Sequence, residues 1–245
     1  MLIFPTALLI GLVLGLFGAG GGMLTVPALM VVGDIPVKEA VPMSLWIVAL
    51  VSLTAAIHQR VWRELQLRLL VVLGVAGVIG SGAGAHAGAL LPDQLQLGML
   101  AGLIFFVAIW VGFVRLETKV QVFRYIPALF AGLGVGVLTG MLGVGGGFLL
   151  VPVLIFLGLG YFPVAVGHSL VLITLNSVSG AVSYLMMEQV NIDLPLTLGI
   201  TLVAAVGSVV GGVILKRVPS EHLQKGFAIL LFLLGSFVGW QSYIL

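Results

Sequence analysis

A glycine run inside a charge-free apolar stretch occurs twice in this chain of 245 residues. The first copy spans residues 18–22 and the second spans residues 143–147, 125 residues further on. Glycine within a helix costs about 1 kcal/mol relative to alanine. The same cost at matching places in two halves predicts that the runs break two helices for a structural or functional purpose.

The composition is that of a membrane protein. Hydrophobic residues make up 61% of the chain and charged residues only 7%, whereas a soluble domain carries about 25% charged residues. A net charge of +2 leaves no basic face for nucleic acid. The absence of cysteine excludes disulfides and thiolate metal sites. The apolar amino terminus has no basic leading region, so we expect it to be retained sequence rather than a signal peptide.

Both stretches that carry a glycine run are too long for one crossing of a bilayer. Residues 2–32 would form a helix of about 46 Å, whereas the hydrocarbon core is about 30 Å thick. We therefore predict glycine-broken, re-entrant helical hairpins over residues 2–32 and 125–157. The other apolar stretches predict three transmembrane helices in each half. These helices cover residues 40–57, 69–91, 95–114, 165–187, 194–215 and 226–245.

Matched residues indicate an internal duplication, with repeats over residues 1–120 and 121–245. At a shift of 125 residues, the matches include Gly11 with Gly136, Pro27 with Pro152, and Ser44 with Ser169. Apolar composition readily produces chance matches of Leu and Val, but not of Gly, Pro and Ser. The predicted fold is thus an all-α polytopic membrane protein with an inverted-topology internal repeat.

The basic residues predict the orientation. If each broken hairpin returns to its own side, three loops share one face of the membrane: residues 58–68, 115–124 and 216–225. They hold nine of the ten Lys and Arg residues, leaving only Lys38 outside. The positive-inside rule makes that face cytoplasmic, in a multi-pass protein of the inner membrane. A single crossing by each broken segment would put residues 216–225 outside, against the rule.

The glycine runs are predicted to bind an anion. A helix that starts after each run, at Met23 or Phe148, would point its unpaired amides and positive end at the break. Two such ends entering from opposite faces would converge near the midplane. The alternative, close helix packing through small residues, stays open. The candidate substrate-binding residues are Gly20, Gly21, Gly22, Met23, Ser44, Gly145, Gly146, Gly147, Phe148, His168, Ser169 and Asn176.

Polar side chains after each broken segment complete this candidate site. Ser44 and Ser169 are matched, and His168 precedes Ser169. Polar residues inside a membrane usually face a bundle interior or a cavity. A serine bonded to its own helix is the alternative. For His168 both a structural role and pairing with an anion or proton coupling are open.

Outside this candidate site, the residues predict helix packing rather than metal binding or catalysis. Glycines four residues apart predict faces for close helix approach. These are Gly80, Gly84 and Gly88, and Gly132, Gly136 and Gly140. His86 is expected to be a hydrogen-bonded packing residue, because no second histidine at metal-binding spacing accompanies it. No predicted span contains Asp or Glu, and no nucleophile and base set is visible. We expect no catalytic residue, no metal and no cofactor. We also expect that the protein is not an enzyme.

Two further motifs follow the glycine runs. Val-Pro occurs at residues 26–27 and again at 151–152. Ala-Val-Pro-Met-Ser-Leu then covers residues 40–45, and Ala-Val-Gly-His-Ser-Leu covers residues 165–170. With these motifs the chain resembles the sulfite exporter TauE/SafE family of membrane permeases over nearly its whole length. The resemblance implies transport of small sulfur-containing anions such as sulfite, sulfonates or sulfoacetate, often outward.

Three functions follow from these features. The first is a secondary transporter that moves a small anion by alternating access. The second is a passive anion channel lined by the same broken helices. The third is a non-transporting membrane subunit of a complex, for which the short loops leave little docking surface. The expected partners are a small anionic substrate and the lipid bilayer, with no nucleic acid and with a homodimer left open.

Overall fold

The computed structural model describes residues 3–18, 20–63, 65–113, 125–159, 161–187 and 192–244. Within these ranges the chain forms ten α-helices and a short 3-10 turn at Val61–Arg63, without a strand. The helices are α1 Ile3–Phe17, α2 Gly20–Gly33, α3 Val37–Gln59, α4 Leu67–Leu90, α5 Asp93–Phe113, α6 Tyr125–Leu142, α7 Gly147–Phe156, α8 Phe162–Leu185, α9 Leu194–Leu215 and α10 Ser220–Ile244.

Six helices among the described residues are long and apolar enough to span a bilayer. They are α3, α4, α5, α8, α9 and α10. Each lies where a transmembrane helix was predicted, so the polytopic all-helical architecture is confirmed. α3 and α10 start earlier than predicted, at Val37 and Ser220. The reason is that Pro36 and Pro219 directly precede them, and a proline with its fixed φ favours the start of a helix.

Each segment with a glycine run consists of two short helices instead of one long helix. α1 and α2 have 15 and 14 residues, and α6 and α7 have 18 and 10. At 1.5 Å per residue, α2 and α7 are about 21 Å and 15 Å long, well short of a crossing. α1 packs against α2. Ile3 Cδ1, at the start of α1, lies 3.3 Å from the position of a Cβ on Gly33, at the end of α2.

The helices after the breaks begin earlier than predicted. α2 starts at Gly20 instead of Met23, and α7 starts at Gly147 instead of Phe148. The larger difference has a local cause, since the first break lies at Gly18, where φ is +61°. The chain returns to helical backbone within two residues, so the glycines of the first run form the first turn of α2. The predicted basic loop at 115–124 lies outside the described residues, as do residues 188–191 of the predicted acidic loop.

Small residues bring two pairs of helices into close contact. α4 packs against α6, and a Cβ on Gly80 or Gly84 would overlap a backbone carbonyl of α6. Gly136 and Gly140 of α6 approach carbonyls of α4 in the same manner. The predicted packing faces are therefore confirmed. α1 and α9 pack through an equivalent set of glycines. This set comprises Gly11, Gly15, Gly207 and Gly211.

Replacing Gly84 with alanine is expected to destabilise the protein, whereas the same change at Gly134 is not. A Cβ at Gly84 would overlap the Val137 carbonyl oxygen, while nothing lies within 4 Å of a Cβ at Gly134. Both variants gain the same helix propensity, so their difference isolates the packing cost, about 1–3 kcal/mol for an overpacked site. Thermal unfolding in detergent micelles measures it. Equal stability of the two variants would contradict this account of the α4–α6 contact.

The prediction for His86 is right about its hydrogen bond and wrong about its packing. Its side chain is exposed, and Nδ1 lies 3.0 Å from the Gly82 carbonyl oxygen one turn earlier on the same helix. Gly84 faces α6, and a residue two positions further along a helix points about 200° away, to the other side. His86 thus satisfies a hydrogen bond within its own helix and does not pack between helices.

Two cavities mark opposite ends of the helices. Arg60 and Lys216 line one cavity, and Asp34 and Asp93 line the other. We call the corresponding surfaces the basic face and the acidic face. α3 begins beside the acidic cavity and ends at the basic one, whereas α8 begins beside the basic cavity. α9 ends at the basic face, whereas α4 begins there, since the Gln66 amide donates to His168. α3 and α8 therefore run in opposite directions, and so do α4 and α9.

Candidate functional site

The first helix break is centred on Gly18. Its φ of +61° lies in the left-handed region, which residues with a Cβ rarely adopt. Its amide still donates to the Leu14 carbonyl at 2.8 Å, so α1 closes normally before the chain turns. α2 then starts at Gly20. The first amides of α2 have no acceptor in their own helix, because intrahelical bonds reach back four residues.

The second break uses three glycines with positive φ. These are Gly143, Gly145 and Gly146, at +71°, +69° and +64°. Gly146 is the residue before α7, and its carbonyl accepts from the amides of Leu149 and Leu150 at 3.1 and 3.0 Å. The amides of Gly147 and Phe148 form the open first turn of α7. The positive end of the α7 dipole therefore points at the second glycine run.

The matched serines hold the two breaks in a reciprocal manner. The Ser169 hydroxyl lies 2.9 Å from the Gly18 carbonyl oxygen and 2.8 Å from that of Val166. The Ser44 hydroxyl donates in the same way to the carbonyls of Gly143 and Val41. A hydroxyl has one proton, which each serine shares between its own helix and the break in the other half of the chain. The alternative of back-bonding is thus only part of what these serines do.

The two glycine runs touch each other inside the protein. A Cβ on Gly22 would overlap the carbonyl oxygen of Val144. The Val48 side chain lies beside both runs, because its two methyl groups come close to Cβ positions at Gly22 and Gly145. Gly18, Gly21, Gly22 and residues 143–147 are buried, so the irregular backbone there contacts protein, as it must at membrane depth. Gly22 is glycine because no larger residue fits against Val144.

A buried hydroxyl faces the second run without a partner. Ser177 is fully buried, and its Oγ makes no hydrogen bond in the structure. This Oγ lies 3.2 Å from the position of a Cβ on Gly145. The matched Ser52 is different, since its hydroxyl bonds to Thr174 Oγ1 at 2.8 Å and to the Ala49 carbonyl at 3.1 Å. A buried hydroxyl is rarely left unsatisfied, because its desolvation costs about 1–3 kcal/mol.

His168 links two helices in this structure. The backbone amide of Gln66 donates to Nε2 at 2.8 Å, and Nδ1 lies 2.8 Å from the Val164 carbonyl oxygen. Because an amide can only donate, Nε2 is the acceptor and Nδ1 carries the proton. The imidazole is therefore neutral in this arrangement. It fixes the start of α4 to α8 and lies at the wall of the basic cavity.

The remaining predicted residues divide between the core and a helix interface. Met23 and Phe148, at the starts of α2 and α7, are buried in the hydrophobic core. Asn176 lies against α4, since a Cβ on Gly77 would overlap its side chain. Its Oδ1 is buried without a hydrogen bond, while its backbone carbonyl accepts from Ser81 at 2.7 Å. Within the described ranges, no group of three His, Asp or Glu side chains could hold a metal ion.

Two residues of this region were not predicted. Val48 lies beside both runs, and nothing in an apolar span distinguishes it from its neighbours. Ser177 carried a signal, because it matches Ser52 at the shift of 125 residues. Duplication alone does not separate the two serines, since only the packing leaves one of them without a partner.

Six apolar spans and two broken helices that meet in the interior define a polytopic membrane protein built like a transporter. The chain belongs to the sulfite exporter TauE/SafE family, whose model matches residues 3–238. It is 28% identical to the "Probable membrane transporter protein YdhB" of Bacillus subtilis, over 92% of this chain and 94% of that protein. A "Probable membrane transporter protein" of Methanocaldococcus jannaschii is 26% identical, over 97% and 96% of the two chains. No solved structure matches the chain significantly.

Proposed function

We propose that the protein is a secondary transporter that moves a small anion across the cytoplasmic membrane by alternating access. The substrate class is a sulfur oxyanion or an organosulfonate, such as sulfite or sulfoacetate. The family membership and the names of the relatives support transport. The observation that carries the proposal is the buried contact between the two glycine runs, Gly22 against the Val144 carbonyl. It brings two helix amino-termini to one place inside an apolar protein.

The proposed architecture is an inverted repeat over residues 1–120 and 121–245, each half with a re-entrant hairpin. Matched helices running in opposite directions support the inversion, namely α3 with α8 and α4 with α9. The pairing of α4 with α6 and of α1 with α9 supports it too, because a twofold axis would exchange these two contacts. The proximity of Ile3 and Gly33 supports a hairpin that returns to its own side.

The anion would be bound by the first-turn amides of α2 and α7. In the first half these are the amides of residues 20–23. In the second half they are those of Gly147 and Phe148, joined by the amides of Gly145 and Gly146 directly before the helix. Each helix start contributes about half a positive charge and several unpaired N–H groups, without a fixed cation. The Ser177 hydroxyl would add a donor at the second run, which accounts for its lack of a protein partner. A site of dipoles releases its ligand more readily than one built on Lys or Arg.

The reciprocal serine bonds would hold the closed arrangement. Ser44 and Ser169 each bridge from one half of the chain to the break in the other. When one half rocks against the other, the bond at one break would be lost and the bond at the other break would be kept, and the reverse motion would exchange the two. His168 would take part indirectly, by fixing α4 to α8 in one of the states. The basic face would be the cytoplasmic one, as the positive-inside rule requires.

Counterflow in proteoliposomes is the experiment that tests this function. We expect purified protein, loaded inside with unlabelled substrate, to accumulate the labelled anion transiently above equilibrium. The panel should contain sulfite, sulfoacetate, taurine, thiosulfate and simple carboxylates. Sulfur oxyanions or sulfonates are expected to support counterflow, because their oxygens can accept hydrogen bonds from the first-turn amides at the positive helix ends. Bovine serum albumin in place of the protein in matched vesicles supplies the background.

Two other outcomes would favour a different function. Non-saturable flux with single-channel currents would indicate a passive channel lined by the same helices. Absence of both binding and flux for every anion in the panel would contradict the transporter proposal and favour a membrane subunit that serves a partner.

A further inference from the structure

A cavity of about 390 Å³ lies at the basic face. It is enclosed by the carboxyl ends of α3 and α9 and by the start of α8. Arg60 and Lys216 line it, together with Tyr161, His168, Val164 and Leu215. None of the residues proposed above to bind the anion at the glycine runs lines this cavity, apart from the His168 ring in its wall. It is therefore a second place where a ligand could be held.

The two cations of the cavity are available to a ligand. Within the described part of the chain, the ion pairs join Lys38 to Asp93 and Lys225 to Glu221, and neither involves Arg60 or Lys216. Arg60 is also held in place, because its φ of +54° makes it the left-handed cap of α3. Its amide bonds to the carbonyls of Ala56 and Ile57. Glycine is usual at such a position, so an arginine there keeps its guanidinium at the cavity despite backbone strain.

The rest of the lining decides which anion fits. Val61, Pro163, Val164 and Leu215 present apolar surface, whereas Gln59 and Tyr161 add polar groups. A bare inorganic oxyanion would leave the apolar wall without a partner. An anion with a charged head and a short hydrocarbon body would satisfy both parts of the lining.

The position of the cavity connects it to the first break. Gly167 and His168 line the cavity, and the next residue, Ser169, donates to the Gly18 carbonyl. The cavity at the acidic face differs in charge, because Asp34 and Asp93 line it. Lys38 near that face is engaged with Asp93 and with the Gly88 carbonyl at 2.9 Å. An anion is therefore favoured at the basic face and disfavoured at the acidic face.

We propose that this cavity is a second anion-binding site, an antechamber at the basic face that takes small organic anions through Arg60 and Lys216. The site is separate from the glycine runs and its binding can be tested without transport. Its cations also offset the carbonyl ends of α3 and α9. Arg217 directly follows Lys216, the cap of α9, and does not line the cavity, which makes it the matched control.

Protection of Lys216 from acylation tests the proposal on the unmodified protein. The protein is placed in phosphatidylcholine nanodiscs and treated with acetic anhydride, with and without ethanesulfonate, and acetylation is read by peptide mass spectrometry. We expect ethanesulfonate to slow the acetylation of Lys216 and to leave Lys225 unchanged, since Lys225 is exposed and paired with Glu221. Sulfite at the same concentration is expected to protect less, because it lacks the apolar body.

Variants then assign the effect to the cavity. The double variant R60Q/K216Q is expected to weaken ethanesulfonate binding by about three- to tenfold, since both charges are solvent-exposed, and R217Q is expected to leave it unchanged. Ser177→Ala should not alter the protection of Lys216, which separates this site from the glycine runs. Absence of counterflow by the wild-type protein, with protection of Lys216 intact, would overturn the transporter proposal alone.

Three results would overturn the antechamber. One is equal acetylation of Lys216 with and without ethanesulfonate. Another is unchanged binding in R60Q/K216Q. The third is protection of Lys216 by anionic phosphatidylglycerol nanodiscs but not by ethanesulfonate, which would identify the occupant as a lipid headgroup.

Discussion

Replacing Gly22 with alanine is expected to abolish anion transport. The added Cβ would overlap the Val144 carbonyl oxygen, which belongs to the rigid backbone of the second break. The two runs would have to separate, and the first-turn amides of α2 and α7 would no longer converge on one ligand. A displacement of about 1 Å in a preorganised site is enough to reduce its function by about a hundredfold. Counterflow with labelled anion in proteoliposomes measures the loss.

The matched control lies at the other end of the same helix. The three atoms nearest to a Cβ on Gly33 belong to the side chains of Ile3 and Ile35, at 3.2–3.3 Å, and flexible side chains can give way. Gly33→Ala should therefore transport like the wild-type protein. Both variants should elute as monodisperse protein from size-exclusion chromatography in detergent. Normal counterflow by folded Gly22→Ala would show that the contact between the runs is not part of the substrate path.

Replacing Ser177 with alanine is expected to change stability and affinity in opposite directions. The Ser177 hydroxyl is buried without a partner, so its removal should leave the unfolding temperature unchanged or raise it. A hydrogen bond to a charged ligand contributes about 1.5–3 kcal/mol, so anion affinity should fall by about ten- to a hundredfold. Thermal unfolding without ligand and titration calorimetry with the transported anion measure the two effects on the same preparation.

Ser52→Ala is the control, because Ser52 matches Ser177 in the duplication but has hydrogen-bond partners. Its loss should cost about 0.5–1.5 kcal/mol of stability and leave anion affinity near the wild-type value. If Ser177→Ala instead destabilised the protein and bound the anion normally, the hydroxyl would have a structural role, and the proposed donor at the second run would be withdrawn.

The sequence was sufficient to predict the spans and the broken segments. Charge-free stretches of fixed length and glycines inside them depend on local properties of the chain, which one sequence displays. The packing faces of α4 and α6 were predictable for the same reason, since glycines four residues apart lie on one side of a helix. His86 shares that helix but lies on its opposite side, and its spacing of two residues from Gly84 already indicates this.

The parts that could not be predicted depend on contacts between distant segments. Gly22 and Val144 are far apart in sequence, and no local pattern reports that they touch. Asn176 lies seven residues after Ser169, so the two share a helix face as expected. The neighbour along that face nevertheless changes, from the first break at Ser169 to Gly77 of α4 at Asn176. That the Ser177 hydroxyl lacks a hydrogen-bond partner likewise becomes visible only when the helices are assembled.

The pairing of α1 with α9 has a consequence for biosynthesis. Gly11 of α1 contacts Ala204, so α1 leaves the ribosome long before its packing partner exists. At about 5–20 residues per second, α9 is completed about 10–40 s after α1. During that time the narrow glycine face of α1 is exposed to lipid or to the insertion machinery. Assembly of the bundle therefore follows insertion of nearly the whole chain, and a truncated first half would leave α1 without α9 and α4 without α6, their most extensive packing partners.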